Sequence, residues 1–279
     1  MILNFREEAY VTAIHKKMSG EIIGGTFGRI PLPILYGFGI TPVSLYGIHK
    51  DLIEESPSTG YCDALRSTEG YALTDRCPFI HSSSFFITDD LCPKRVELLN
   101  SLPLNKLVYI YSIKDKNLEE AVEEQEKLIR FLETFTKKTI DHSLVEKSFE
   151  LLLEIDNLLL ELKNSSLTGK EYSKICYETQ YIFDLEVRKN FIESLPVQGN
   201  NTDKKSVYSA PLGGIIEDFP LEEDEFLDDS LSCTPCTPTV FEREAALTED
   251  IARYYRPVDH FIVHGFRDCP YADQNTITY

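Results

Sequence analysis

The sequence has no apolar run approaching the roughly 20 residues that a bilayer-spanning helix requires, so no transmembrane helix and no membrane partner are expected from it. Its opening, MILNFREEAYVTAIHKK, places Arg6, Glu7 and Glu8 where an export signal needs an unbroken apolar core, and a cytoplasmic location is the expectation. Basic residues are scarce. Against 46 Asp and Glu stand 28 Lys and Arg, a net charge of −18, which a nucleic-acid backbone or an anionic membrane surface would repel. Neither GxGxxG nor a Walker Lys-Ser/Thr occurs, so any ATP that the chemistry needs is expected to be hydrolysed by another protein. A second CxxC pair is missing as well: Cys233 and Cys236 form one pair, and a local zinc site would need another, or a close Cys/His pair, to complete its tetrahedron. No internal repeat is present.

What is there is a chain of 279 residues, 42% hydrophobic, long enough to bury two modest cores. The segment EIIGGT at 21–26 reads as a buried strand, Gly28 as a turn, and Pro31 as the opening of a helix that Gly39 ends before an extended run, TPVSL, at 41–45. That order is a βαβ-like unit and predicts the α/β class. Gly24, Gly25 and Gly28 stand between strand and helix, either as a tight turn or as backbone that cradles a phosphate. Further strands are predicted at 85–88 and 107–112, and helices over 118–136, 141–162 and 170–191. In the second of these helices Leu144, Leu151, Leu152, Ile155, Leu158, Leu159 and Leu162 fall at helical spacing as a packing stripe, with Ser143 and Glu146 spaced as a capping box. The polar stretch QGNNTDKK at 198–205 reads as a linker between a first α/β domain, 1–197, whose helical region occupies about 117–195, and a second, partial one, 206–279. There, short strands are predicted at 207–209, 213–216 and 260–264 and a helix at 242–255, while DFPLEEDEFLDD reads as a solvated acidic loop.

Seven cysteines, at 62, 77, 92, 176, 233, 236 and 269, point in a reducing compartment to metal binding, redox chemistry or burial rather than to disulfides. Cys176, beside Ile175 and Tyr177 in a predicted helix, reads as buried and inert, and His264 at a strand end as a structural histidine. Cys92 and Cys269 each follow a predicted strand and precede a proline, so both thiols fall at carboxyl ends of strands, where open α/β sheets bind ligands. Cys62 opens a predicted helix, whose dipole favours a thiolate. Thiolates in such a setting suit an iron–sulfur cluster.

The segments PLPILYGFGITPV, YCDALRS, FFITDDLCPKR, SLTGKEY and DHFIVHGFRDCP, in that order, resemble the D-component family of 2-hydroxyacyl-CoA dehydratases, which includes benzoyl-CoA reductase subunits and double-cubane-cluster proteins. The resemblance runs through most of the chain. It implies two flavodoxin-like α/β domains with parallel sheets and an inserted helical region, holding between them a 4Fe-4S cluster or a double-cubane 8Fe-9S cluster. By motif, the ligands it implies are Cys62, Cys92 and Cys269, with Cys77 in D-R-C-P-F as the alternative to Cys62. The implied chemistry is that of a lyase or oxidoreductase: low-potential, single-electron transfer to an acyl-CoA thioester or another small molecule. An electron added to the thioester carbonyl gives a ketyl radical, which expels the neighbouring hydroxyl. An ATP-dependent activator protein and a homo- or heterodimeric sister subunit are the implied partners. Family members continue with further strand–helix units after the third cysteine, so the second domain is expected to be short. A non-catalytic, cluster-carrying subunit is the alternative reading and a structural zinc protein the third. No general base or substrate contact stands out among the residues.

Overall fold

A computed structural model describes residues 4–195, apart from 47–48, 114–115, 164, 166 and 168, together with the backbone of 205–210, 225–228 and 260–263. Four strands, β1 (Ile23–Phe27), β2 (Thr41–Ser44), β3 (Phe85–Asp89) and β4 (Val108–Tyr111), form one parallel sheet in the order β2-β1-β3-β4. Every residue of β1, β2 and β3 is buried, as parallel strands covered on both faces require. Alternation along β3 sends Phe86 to one face and Phe85 and Ile87 to the other. The first face is covered by α1 (Phe5–Met18), α3 (Lys50–Glu54), α4 (Asp63–Leu73), α5 (Pro78–Ser82) and α6 (Pro93–Ser101), the second by α2 (Leu32–Gly37) and α7 (Leu118–Thr136). Packing over the middle of β1 leaves no room for a side chain at Gly25, where a Cβ would lie 2.7 Å from Phe86 and 2.9 Å from the Ser83 hydroxyl. The α/β class and the predicted β1-α2-β2 unit are both present.

Three further helices, α8 (His142–Lys163), α9 (Gly169–Thr179) and α10 (Leu185–Glu193), share a separate core, and α8 also packs on α2. Leu152, Ile155 and Leu162 are the buried part of the predicted stripe, whereas Leu144 is 42% exposed. The expected helix over 170–191 is two helices. The chain turns between them, and Asp184 caps α10 by accepting from the amides of Glu186 (2.9 Å) and Val187 (3.1 Å). The expected Ser143–Glu146 box is replaced by Asp141, two positions earlier, whose carboxylate accepts from the amides of Ser143 (2.9 Å) and Leu144 (3.4 Å). A capping box does form at the start of α7. There Asn117 accepts from the Glu120 amide (3.0 Å) and its own amide donates to the Glu120 carboxylate (2.9 Å).

Helix α1 is not predicted from its charged sequence, and a charged residue anchors it. The Arg6 guanidinium is buried in a ring of aromatics, donating to the hydroxyls of Tyr181 (3.3 Å), Tyr71 (2.9 Å) and Tyr10 and lying 4.6 Å from the centre of the Tyr71 ring. These bonds join α1 to α4 and to the turn after α9.

A second parallel sheet, in the order β6-β5-β7, is made by β5 (Lys205–Ala210), β6 (Glu225–Asp228) and β7 (His260–Val263). Strand β6 lies inside the acidic run that reads as a loop, a correction: backbone pairing of Ser206 with Phe226 and Val207 with Leu227 outweighs the local charge. The predicted strand at 213–216, the helix at 242–255 and residues 198–204 of the linker lie outside the described residues, and Lys205 already belongs to β5. No described helix is long and apolar enough to cross a membrane.

Candidate functional site

The strand order reverses around β1, which hands the chain to β2 on one side and receives β3 on the other. A crevice therefore opens beyond the carboxyl ends of β1 and β3, the position where open α/β sheets bind ligands. Gly28 and Arg29 enter it from β1, and Asp90, Leu91 and Cys92 from β3. Gly28 has φ +114°, and a Cβ there would lie 2.3 Å from an Asp89 carboxylate oxygen and 2.7 Å from Arg95 Cζ. Of the two readings of the glycine cluster, the geometry supports the tight turn: Gly24 and Gly25 belong to β1, and Gly28 makes room for an ion pair.

That pair is Asp89 with Arg95, both side chains fully buried. Asp89 also accepts from the amides of Arg29 (2.5 Å) and Leu91 (2.9 Å), while Arg95 donates through Nε to the Thr88 hydroxyl (2.8 Å) and lies 5.5 Å from the centre of the Phe27 ring. Burial pushes the Asp89 carboxyl up, and Arg95 and the two amides pull it back. Next to it, Asp90 accepts from the Ser112 hydroxyl (2.6 Å) and the Ile113 amide (2.8 Å) beyond β4. Sequence reasoning misses Asp89, Asp90 and Arg95. The signal lies in D-D-L-C-P-K-R, where acids close an apolar strand and an arginine follows within the first turn of a helix.

Cys92 is the N-cap residue of α6 and Cys62 that of α4. Both are extended, and neither thiol caps its own helix. Helices α4 and α6 pack together, and Tyr61, just ahead of α4, reaches across to α6: its hydroxyl donates to Glu97 (3.3 Å), and Lys94 Nζ lies 5.8 Å from its ring centre. Burial first, then Glu97, pushes the Tyr61 hydroxyl up to about 12. The loop ahead of Cys62 is held by Glu69 from within α4, which accepts from the Ser58 hydroxyl (2.9 Å), the Ser58 amide (3.3 Å) and the Ser56 hydroxyl. Cys92 is buried and Cys62 half-buried.

Cys77 is not brought to this crevice. It caps α5 beyond the far end of α4, and the 11 residues of that helix span about 16 Å at the usual rise. Only 1% exposed, its thiol is pushed up by burial, with Arg6 opposing. Cys176 in α9 is half-buried rather than fully buried as expected, and it is the neighbouring Ile175 that joins the core of α8 to α10. Of the described residues, these four cysteines form no disulfide. Cys233, Cys236, Cys269 and His264 lie outside the described residues, among which no three or more His, Cys, Asp or Glu side chains gather as a metal ligand set. A separate cleft of about 870 Å³ opens at the amino ends of β1 and β2, between α1, α8 and α10.

Residues 29–206 match the 2-hydroxyglutaryl-CoA dehydratase, D-component family, which is more than half of the sequence. The chain belongs to that family. The matched dehydratase segment contains Cys62, Cys77 and Cys92, the strands β2 to β4 and the helices α2 to α10, and it ends as β5 begins. The chain is also 20% identical over 238 residues, 76% of its length, to "Putative dehydratase subunit YjiM" of Escherichia coli (strain K12), and it spans 62% of that protein. Membership in the family implies a dehydratase-type subunit.

Proposed function

We propose that this dehydratase-family chain is an iron–sulfur subunit in which Cys62 and Cys92 supply two thiolates to a 4Fe-4S or double-cubane cluster and Cys269 supplies a third. The observation that carries the reading is that Cys62 and Cys92 each hold the N-cap position of one of two helices that pack together, α4 and α6, with Cys92 following β3 at the topological switch of the sheet. Amides at a helix start stabilise a thiolate, and thiolate is the ligand form, so the donor set and its surroundings fit such a cluster. Cys77 fits less well than Cys62, since burial favours its protonated thiol and it lies at the opposite end of α4 from Cys62, with the length of β3 between it and Cys92. When bound, the cluster would supply single electrons at low potential to an acyl-CoA thioester. This chain's own residues would hold the thiolates, fix the crevice through the Asp89–Arg95 pair, and exclude water with the apolar core behind Cys92.

Two flavodoxin-like domains are part of the proposal. The order β2-β1-β3-β4 follows the first four strands of that doubly wound pattern, and the parallel sheet of β5 to β7 fits a second unit after the linker at 198–205. An ATP-dependent activator protein and a sister subunit, a copy or a relative of this chain, complete the scheme.

The test is iron, acid-labile sulfide and zinc content of protein purified without oxygen, alongside four single variants. Comparable iron and sulfide in the unsubstituted chain, lost in Cys62→Ser, Cys92→Ser and Cys269→Ser and kept in Cys77→Ser, is the expected outcome. Stoichiometric zinc, or no metal, would refute the reading, and full iron in Cys62→Ser with loss in Cys77→Ser would transfer the role of Cys62 to Cys77.

A further inference from the structure

Two neighbouring carboxylates, one on the last residue of β3 and one just beyond it, reach in opposite directions. Asp89 accepts from the Arg29 amide in the loop after β1 (2.5 Å), and Asp90 accepts from the Ser112 hydroxyl (2.6 Å) and the Ile113 amide (2.8 Å) in the loop after β4. Asp89 also takes the Leu91 amide (2.9 Å), folding the turn onto the residue that precedes Cys92. The last paired position between β3 and β4 is Asp89 with Tyr111, so the bonds of Asp90 are made beyond the ladder and do nothing for the sheet itself. The loop that Asp90 grips is anchored in turn. Glu124 of α7 accepts from the Ser112 amide (3.4 Å) and pairs with Lys116 (3.1 Å) and Lys127 (3.2 Å).

We infer that Asp90, seconded by Asp89, is a positioning residue that holds the Cys92 turn at a set height above the crevice by tying it to the loops on both sides. The consequence for a cluster rests on the function proposed above, whereas the clamp itself does not. Without Asp90 the turn from Asp90 to Cys92 keeps its attachment to β1 and loses its attachment to β4. Cys92 then samples open conformations while the sheet stays paired. Asp89 is a poor place to test this, because its loss strands Arg95 in the core and loosens the whole fold rather than the turn alone. Asp90 is half-buried and outside that ion pair, so its variants should fold.

The experiment follows alkylation of the metal-free full chain by iodoacetamide, cysteine by cysteine, by peptide mass spectrometry. Local opening after loss of two hydrogen bonds should speed Cys92 in Asp90→Ala by about tenfold or more, with Ser112→Ala, which removes one, in between. Cys62 and Cys77 should keep their rates, and Asp90→Asn, whose amide oxygen still accepts, should return Cys92 most of the way to its original rate. A Cys92 rate in Asp90→Ala unchanged from the parent would overturn the inference, as would an equal acceleration of Cys62 and Cys77, the mark of general loosening. Iron uptake by the unsubstituted chain decides the cluster reading separately, so the two can fail independently.

Discussion

Replacing Gly28 with alanine should be among the most damaging single-methyl additions around the four-stranded sheet, and two costs can be separated. The backbone at φ +114° lies outside the wells open to an L-residue, a strain of about 1–3 kcal/mol. The new Cβ would also meet the Asp89 carboxylate at 2.3 Å and the Arg95 guanidinium at 2.7 Å, both held in place by the fully buried ion pair. Forcing atoms into a packed site costs about another 1–3 kcal/mol. At roughly 2–4 °C per kcal/mol for a unit of this size, Tm should fall by roughly 5–20 °C. Gly39 is the internal control, since its φ is +66°, inside the left-handed well, and nothing lies within 4 Å of a Cβ built there. Gly39→Ala should therefore lose only the left-handed cost, about 1–2 kcal/mol. Thermal denaturation of the two variants side by side gives the collision by difference. If Gly28→Ala melts no lower than Gly39→Ala, the packing argument for the crevice is wrong.

Two further outcomes are expected. Asp89→Ala leaves Arg95 charged and unpaired in the core and should lose about 3–5 kcal/mol in urea denaturation, while adding Arg95→Met should restore part of it; a double variant as unstable as the sum of the singles would contradict the pairing. Burial, then the nearby Lys17, lowers the Lys106 amine to about 8, so between there and its unfolded value near 10.4 the unfolded chain binds the extra proton. The Lys106 contribution to stability should therefore rise with pH across that window and be lost as pH falls through about 8. The difference in denaturation midpoint between the parent and Lys106→Met, measured from pH 7 to 10, should grow with pH, and a flat difference would refute it.

Much of the four-stranded sheet and its helices was legible in the residues. The β1-α2-β2 unit follows from short-range signals: an apolar run, a turn glycine, a proline at a helix start and a glycine at its end. Helix α7 occupies the predicted span of 118–136, because its period and its capping residues are all local. Cys62 was legible as the opening of a helix and Cys92 as the residue after a strand and before a proline, whereas the helix that Cys92 opens, α6, was not. What local signals could not carry was any choice between competing partners. The break between α9 and α10 depends on Asp184 finding two amides, and β6 forms within an acidic run because β5 pairs with it.

Taken by itself, then, the sequence determined the α/β class, most element positions and the set of cysteines worth considering, because propensity and periodicity act over a few residues. Only the tertiary structure decided that Arg6 is a core residue, that Asp89 and Arg95 neutralise each other beneath Gly28, and that Cys77 lies at the opposite end of α4 from Cys62. The reason is physical: burial and charge pairing are set by groups far apart in the chain, and the strength of a buried charge depends on what surrounds it rather than on its neighbours in sequence.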